Sequence, residues 1–112
     1  MLIKQLARRP ELIEIVLDDE EIIKNYGDSV KFYMKDFVDL TTYFDFFTSQ
    51  SEKDGARLTA LMRKFILNEQ GEEILSEGEE LPIDIMVGAL SQINTHLGKS
   101  KAKLSTPESG AQ

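Results

Sequence analysis

Hydrophobic residues recur at helical spacing along most of the chain. They fall three, four and seven positions apart, the pattern of an amphipathic helix with one apolar face. The positions that carry it are Leu2, Ile3 and Leu6; Leu12, Ile13, Val16 and Leu17; Ile22, Ile23 and Tyr26; Leu40, Tyr43, Phe44 and Phe47; Leu58, Leu61, Met62, Phe65 and Ile66; and Ile85, Met86, Ala89, Leu90, Ile93 and Leu97. This spacing predicts a mainly α fold, a small helical bundle of four or five helices.

Helix boundary signals separate these segments. Pro10 and the acidic run Asp18–Glu21 divide the first part of the chain. This division predicts two short helical pieces, or a loop followed by a helix whose first turn contains the acids. Gly27 is the candidate end of the helix that contains Ile22 and Ile23. For the later helices, the candidate caps or first residues are Asp39, Ser51 and Pro82, and Gly98 is the candidate end of the last one.

One segment alternates with a period of two. Val30, Phe32 and Met34 are separated by Lys31 and Tyr33, which is typical of a β-strand with one buried face. Because an isolated strand needs a partner, this segment predicts either one short strand pair near residues 29–36 or an extended connector.

Length and composition favour a single domain. The 112 residues suit one core, which we place in residues 1–98, and we expect residues 99–112 to form a disordered polar, basic tail. The absence of cysteine excludes disulfides, thiolate nucleophiles and iron–sulfur clusters. No apolar run approaches the ~18 residues of a membrane span, and the first residues lack the apolar core of a secretory signal. The sequence therefore predicts a cytoplasmic protein without membrane contact.

Charge is unevenly distributed. Residues 1–10 contain three basic and no acidic residues, whereas residues 11–98 contain nineteen acidic and seven basic residues, a net charge of −12. An acidic body repels phosphate backbones, so nucleic acid is excluded as the main partner. The same body favours a basic or amphipathic protein partner.

Candidate catalytic and metal-binding motifs fail on position. The single histidine, His96, falls near the end of a predicted helix and has no nucleophile arranged with it. A calcium loop ending its turn at Gly71 would need an acid where Ile66 stands. A phosphate loop at Gly98 would need a glycine where Ile93 stands. We therefore predict a protein that is not an enzyme, with no catalytic residues, no metal site and no cofactor.

Aromatic residues are concentrated in one part of the chain. Eight of the nine lie between Tyr26 and Phe47. The four in residues 43–47 cover more than one face of a helix, so either this helix is central or some of the rings face a partner. The predicted partner-binding residues are Tyr43, Phe44, Phe47, Met62, Phe65 and Ile66.

The order of these segments resembles that of a known family. The stretch from Asp19 to Leu97 contains an acidic DEEIIKNYG start, the SVKFYMKDF segment, DLTTYFDFF, a helix ending LMRKFILNEQGEEIL, and a closing ELPIDIMVGALSQINTHLG. It resembles the tail assembly chaperones of long-tailed, lambda-like bacteriophages, the frameshifted minor tail protein family. The resemblance covers about 80 residues and consists of spacing and composition.

The resemblance implies a function. These small, helical, non-catalytic proteins bind and solubilise the tape measure protein in the host cell cytoplasm while tail tube subunits assemble, and they are absent from the mature virion. It implies self-association along the client and a longer form made by a −1 frameshift near Gly98-Lys99. The alternative is a small acidic regulatory or adaptor protein, such as an anti-repressor or an inhibitor that mimics nucleic-acid charge, which the acidic body supports.

Overall fold

The computed structural model describes the backbone of residues 1–111 and the side chains of residues 1–98. A short 3-10 helix over Ile3–Leu6 comes first. The elements that follow are strand β1 (Leu12–Leu17), helix α1 (Glu20–Tyr26), strand β2 (Val30–Lys35) and helices α2 (Leu40–Ser51), α3 (Gly55–Phe65) and α4 (Ile83–Ala111).

The two strands form one antiparallel pair, and α1 connects them. Ile15 lies opposite Phe32, and Ile13 lies opposite Met34. These side chains share the inner face of the pair, where Ile15, Phe32 and Met34 are buried. The period-two pattern at residues 30–34 is therefore confirmed as a strand, and the predicted strand pair near residues 29–36 is present.

The prediction of a helix at residues 12–17 was wrong. Leu12, Val16 and their neighbours fit helical spacing, but the segment also alternates, and the structure follows the alternation. Leu17 points into the core, whereas Val16 lies on the outer face and is partly exposed. A six-residue segment rich in β-branched side chains gains more by pairing with β2 than a helix of under two turns gains alone.

Helix α1 has the ends that the sequence indicated. Asp19 precedes it, Glu20 and Glu21 occupy its first turn, and the carboxylates there oppose the positive end of the helix dipole. Gly27 follows in the left-handed conformation, with φ of 81°, which a side chain would disfavour. Of the predicted apolar face, Ile22 alone is buried.

A short connection, residues 52–54, joins helices α2 and α3. Asp39 caps α2 by accepting a hydrogen bond from the Thr42 N–H, as predicted. Ser51 was the predicted cap of the next helix, and this was wrong, because Ser51 is the last residue of α2. Asp54 instead caps α3 through the Arg57 N–H.

Helix α4 closes the core over the strand pair. Its residues at four-position intervals from Ile85 to Leu97 are buried. The helix continues past Gly98, where the sequence predicted its end. The predicted tail, residues 99–112, lies outside the residues whose side chains are described, and it stays a prediction. The core contains Ile15, Leu17, Ile22, Phe32, Met34, Phe46, Met62, Phe65, Ile66, Ile85, Ala89, Ile93 and Leu97.

The fold is thus one small mixed α/β domain, with four α-helices and a two-stranded antiparallel sheet, rather than a purely helical bundle. The difference arises because β1 and β2 supply one wall of the core, with helices packed against it. Among the described residues, no helix combines the length and hydropathy needed to cross a membrane.

Candidate protein-binding surface

Helix α2 distributes its four aromatic rings between core and surface. Phe46 is completely buried, Tyr43 and Phe47 are half-buried, and Phe44 is 57% exposed. The sequence left two possibilities, a central helix or a helix that exposes some of its rings, and the structure leaves one ring in solvent. An exposed phenylalanine beside half-buried rings is the composition found at the centre of protein interfaces.

The rings form a continuous series from the surface to the core. Phe44 contacts Tyr43 with centroids 5.9 Å apart, and Tyr43 contacts Phe47 at 4.9 Å. Phe47 then contacts Phe46 at 5.2 Å, and Phe46 contacts Phe65 at 5.0 Å. All four contacts are edge-to-face, a favoured geometry for aromatic pairs. The exposed ring therefore lies at the surface end of a series of packed aromatic rings that reaches the core.

Leu40 extends this surface by one helical turn. It lies four residues before Phe44 and is 67% exposed. We define the α2 aromatic face as Leu40, Tyr43, Phe44 and Phe47. Two exposed apolar side chains one turn apart, with half-buried rings beside them, form a ridge against which the apolar face of another helix can pack.

Polar contacts fix α2 relative to its neighbours. The amides of Gln50 and Asn94 exchange hydrogen bonds of 3.2 and 2.9 Å, which join α2 to α4. Asp45 pairs with Arg57 of α3. Phe44 stays 57% exposed, so these contacts hold the helix without covering that ring.

The predicted surface residues of α3 lie inside the molecule. Met62, Phe65 and Ile66 are at most 3% exposed and belong to the core. The structure joins Phe65 to the aromatic series through Phe46, but it does not bring these three side chains to the surface with Phe44. Of the six predicted residues, Tyr43, Phe44 and Phe47 are therefore the ones that a partner can reach in this conformation.

The charge around the α2 aromatic face is negative. Residues 36–52 contain four acidic residues and no basic residue. Hydrogen bonds from the Thr42 hydroxyl and N–H to Asp39 lower the pKa of that carboxyl, so it stays ionised at neutral pH. A partner with basic residues beside its apolar stripe would meet complementary charge here.

Two other exposed apolar groups escaped the sequence prediction. Met1, Leu2, Ile3 and Leu6 at the start of the chain are 65–95% exposed, and no residue of the 3-10 helix is buried. On α4, Ile83 and Val87 are also exposed, one turn apart. The helical spacing of both groups was visible in the sequence, but spacing alone does not show which apolar face lacks a partner.

Hydrogen bonds between polar side chains join α1 to α4. The Tyr26 hydroxyl donates to Asp84 at 2.7 Å, and the Asn25 amide donates to the same carboxyl at 3.3 Å. These contacts join the end of α1 to the start of α4. Within the described side chains, no three histidine or acidic groups gather as metal ligands.

No family model, no curated protein sequence and no solved structure matches this chain. What the chain binds has therefore to be inferred from its own surface chemistry.

Proposed function

We propose that this chain is a non-catalytic binding protein whose α2 aromatic face covers an amphipathic helix of a client protein. The observation that carries the proposal is the position of Phe44, which is exposed yet held by ring contacts that lead into the core. When a partner covers this exposed apolar surface, the complex is stabilised by about 25 cal/mol for each Å² removed from water. The acidic surroundings select clients that carry basic residues beside the apolar stripe.

The proposed client is the tape measure protein of a long-tailed phage. The order of segments from Asp19 to Leu97 resembles the tail assembly chaperones, and the α2 aromatic face suits that role. A long, mainly helical tape measure protein exposes apolar stripes that aggregate unless they are shielded. A small domain with a net charge of −7 can cover such stripes and keep the complex soluble in the host cytoplasm until tail tube subunits assemble.

Co-expression tests this proposal. The full chain is produced together with the tape measure protein of the same phage, and the soluble fraction of the tape measure protein is measured. We expect the wild-type chain to raise that fraction severalfold. The double variant Leu40→Ser/Phe44→Ser should lose most of the effect, whereas the matched control Ile83→Ser/Val87→Ser, which removes an equally exposed apolar pair from α4, should keep it.

The possible results test the identity of the client and the position of the binding surface separately. If the wild-type chain leaves the tape measure protein insoluble, the proposed client is wrong. If both double variants solubilise it as well as the wild type, the client stands and the α2 aromatic face is not the binding surface.

Salt dependence distinguishes this proposal from a nucleic-acid mimic. An acidic inhibitor that replaces phosphate contacts loses affinity steeply as salt rises, because salt screens exposed charges beyond about 8 Å at physiological ionic strength. Binding through Leu40 and Phe44 depends on apolar contact and should weaken much less. A loss of affinity of more than about tenfold between 50 and 500 mM salt would favour the mimic.

A further inference from the structure

Strand β1 has an open edge. On β2, the Tyr33 N–H and C=O bond to Leu67 at 2.9 and 2.8 Å, so they point away from β1. Tyr33 lies opposite Glu14, and in an antiparallel pair the backbone groups of opposing residues face alternately toward and away from each other. The N–H and C=O of Glu14 therefore point outward, as do those of Leu12 and Val16.

These outward groups have no partner among the described residues. No hydrogen bond between described residues engages the backbone of Leu12, Glu14 or Val16 on this side. The far side of β2, by contrast, is covered at Tyr33 by Leu67, which also bridges to Glu73. A strand edge with a row of free donors and acceptors, and with no proline between Leu12 and Leu17, is a template for another strand.

The segment before β1 is also exposed to solvent. Arg8 fixes its base, because the guanidinium bonds to Asp36 at 3.0 Å and lies 4.7 Å from the centre of the Phe37 ring. Beyond this anchor, residues 1–7 form an arm in which every residue is exposed, including its apolar side chains. The arm leads directly into the open strand, so whatever pairs with β1 lies beside the arm as well.

The charges of the segments before and after β1 indicate which partner pairs with this strand. The arm and its base contain Lys4, Arg8 and Arg9 and no acid, whereas the run Asp18–Glu21 follows the strand. When two copies of an antiparallel strand pair, the segment before one strand lies beside the segment after the other. Two copies of β1 thus place each basic arm beside the acidic run of the other copy.

We propose that two copies of this chain form a symmetric dimer in which their β1 edges pair antiparallel and each arm packs on α1 of the other copy. The arm's apolar side chains then meet Ile23 and Tyr26, which α1 leaves exposed. The dimer sheet has four strands and a two-fold axis through its centre, so the same contacts form twice.

Glu14 stands near the two-fold axis, where two carboxylates would approach each other. Its charge is partly compensated inside each copy, since the carboxylate lies 3.8 Å from the Lys31 ammonium and accepts a hydrogen bond from the Tyr33 hydroxyl at 3.2 Å. The edge is therefore compatible with a second copy even though an acid occupies its middle.

Sedimentation velocity over a concentration series tests the edge. Glu14→Pro removes a backbone N–H that points away from β2, so it blocks the edge and leaves the bonds between β1 and β2 in place. We expect the wild-type chain to dimerise and Glu14→Pro to raise the dissociation constant at least about tenfold. Glu14→Gln keeps the N–H and should dimerise as well as the wild type. A wild-type chain that is monomeric at about 1 mM, or a folded Glu14→Pro chain that dimerises normally, overturns the proposal.

Substitutions that change the charges of the arm and of the acidic run test the contact between them without introducing a proline. Lys4→Glu/Arg9→Glu changes the charge of residues 1–10 from +3 to −1, and Asp18→Lys/Glu20→Lys changes that of the acidic run from −4 to 0; neither pair of sites is in the core. Each double variant alone should dimerise at least about tenfold more weakly than the wild type. A mixture of the two should form a heterodimer more tightly than either variant forms a homodimer, because one arm contact then has the wild-type charges and the other no longer joins two acidic segments. If the mixture stays as weak as the separate variants, the arm does not pack on the second copy.

Discussion

At the scale of single residues, the start of α3 shows how a cap is chosen. Ser51 and Asp54 are both good capping residues in the sequence, but only Asp54 stands where its carboxylate can accept the Arg57 N–H. We predict that Asp54→Ala lowers the free energy of unfolding by about 1 kcal/mol, because the first turn of α3 loses that bond. Ser51→Ala, at the exposed end of α2, should change it by less than about 0.5 kcal/mol. Urea denaturation of both variants measures the difference, and equal losses would contradict the assignment.

The aromatic residues show what the sequence can and cannot reveal at this scale. That four rings in residues 43–47 cannot share one buried face follows from helical geometry, which left either a central helix or an exposed ring. Which ring is exposed was not predictable, because that depends on the side of α2 against which α3 and α4 pack. Met62 and Phe65 were misplaced for the same reason: an apolar stripe looks the same whether it faces the core or a client.

At the scale of elements, β1 and β2 show why one strand was predictable and the other was not. In β2, Lys31 and Tyr33 separate the inward-facing residues Val30, Phe32 and Met34, so the alternation is visible. In β1 the outer face also carries apolar side chains, Leu12 and Val16, which mask the alternation of the inner face and create a helical spacing by coincidence. Local patterns cannot resolve this ambiguity, since the deciding contact, Ile15 against Phe32, joins residues 17 positions apart.

Substitutions in β1 distinguish the strand from the helix that the spacing suggested. Ile15 is 1% exposed on the inner face, and Val16 is 37% exposed on the outer face. We predict that Ile15→Ala lowers the free energy of unfolding by about 2–4 kcal/mol through lost burial and the cavity left behind. Val16→Ala should cost less than about 1 kcal/mol. A helix with its apolar face at Val16 and Leu17 would give the reverse order, and chemical denaturation of the two variants decides between them.

At the scale of the whole molecule, three carboxyl groups have a lowered pKa, and two of them, Asp84 and Asp36, join separate parts of the fold. The Tyr26 hydroxyl is the main cause for Asp84, with further hydrogen bonds from Asn25 and the backbone that together outweigh desolvation. For Asp36, partial burial alone would raise the pKa, but hydrogen bonds from the Glu11 N–H and Arg8, together with the Arg8 charge, lower it. For Asp39, the cause is its role as the cap of α2.

These shifts predict a loss of stability in acid. A carboxyl with a lower pKa in the folded state stabilises the fold while it is ionised, and this contribution is complete above the unfolded value of 3.8. It is lost as pH falls below 3.8 and through the lower pKa of the folded state. The melting temperature should therefore be level near neutral pH and fall below about pH 4. Asp84→Asn should reduce the size of that fall, and a wild-type melting temperature that does not change down to about pH 2 would contradict the prediction.

The proposed function depends most directly on the α2 aromatic face, and isothermal titration calorimetry tests binding at that face. The full chain is titrated with synthetic helical segments of the tape measure protein, each with an apolar stripe flanked by basic residues. We predict saturable binding that Phe44→Ser weakens at least about tenfold. The variant Val87→Ser, at a residue on α4 that is about as exposed as Phe44, should stay within about twofold of the wild type. If Phe44→Ser keeps the wild-type circular dichroism spectrum and binds as tightly as the wild type, α2 is not the binding surface and the central claim fails.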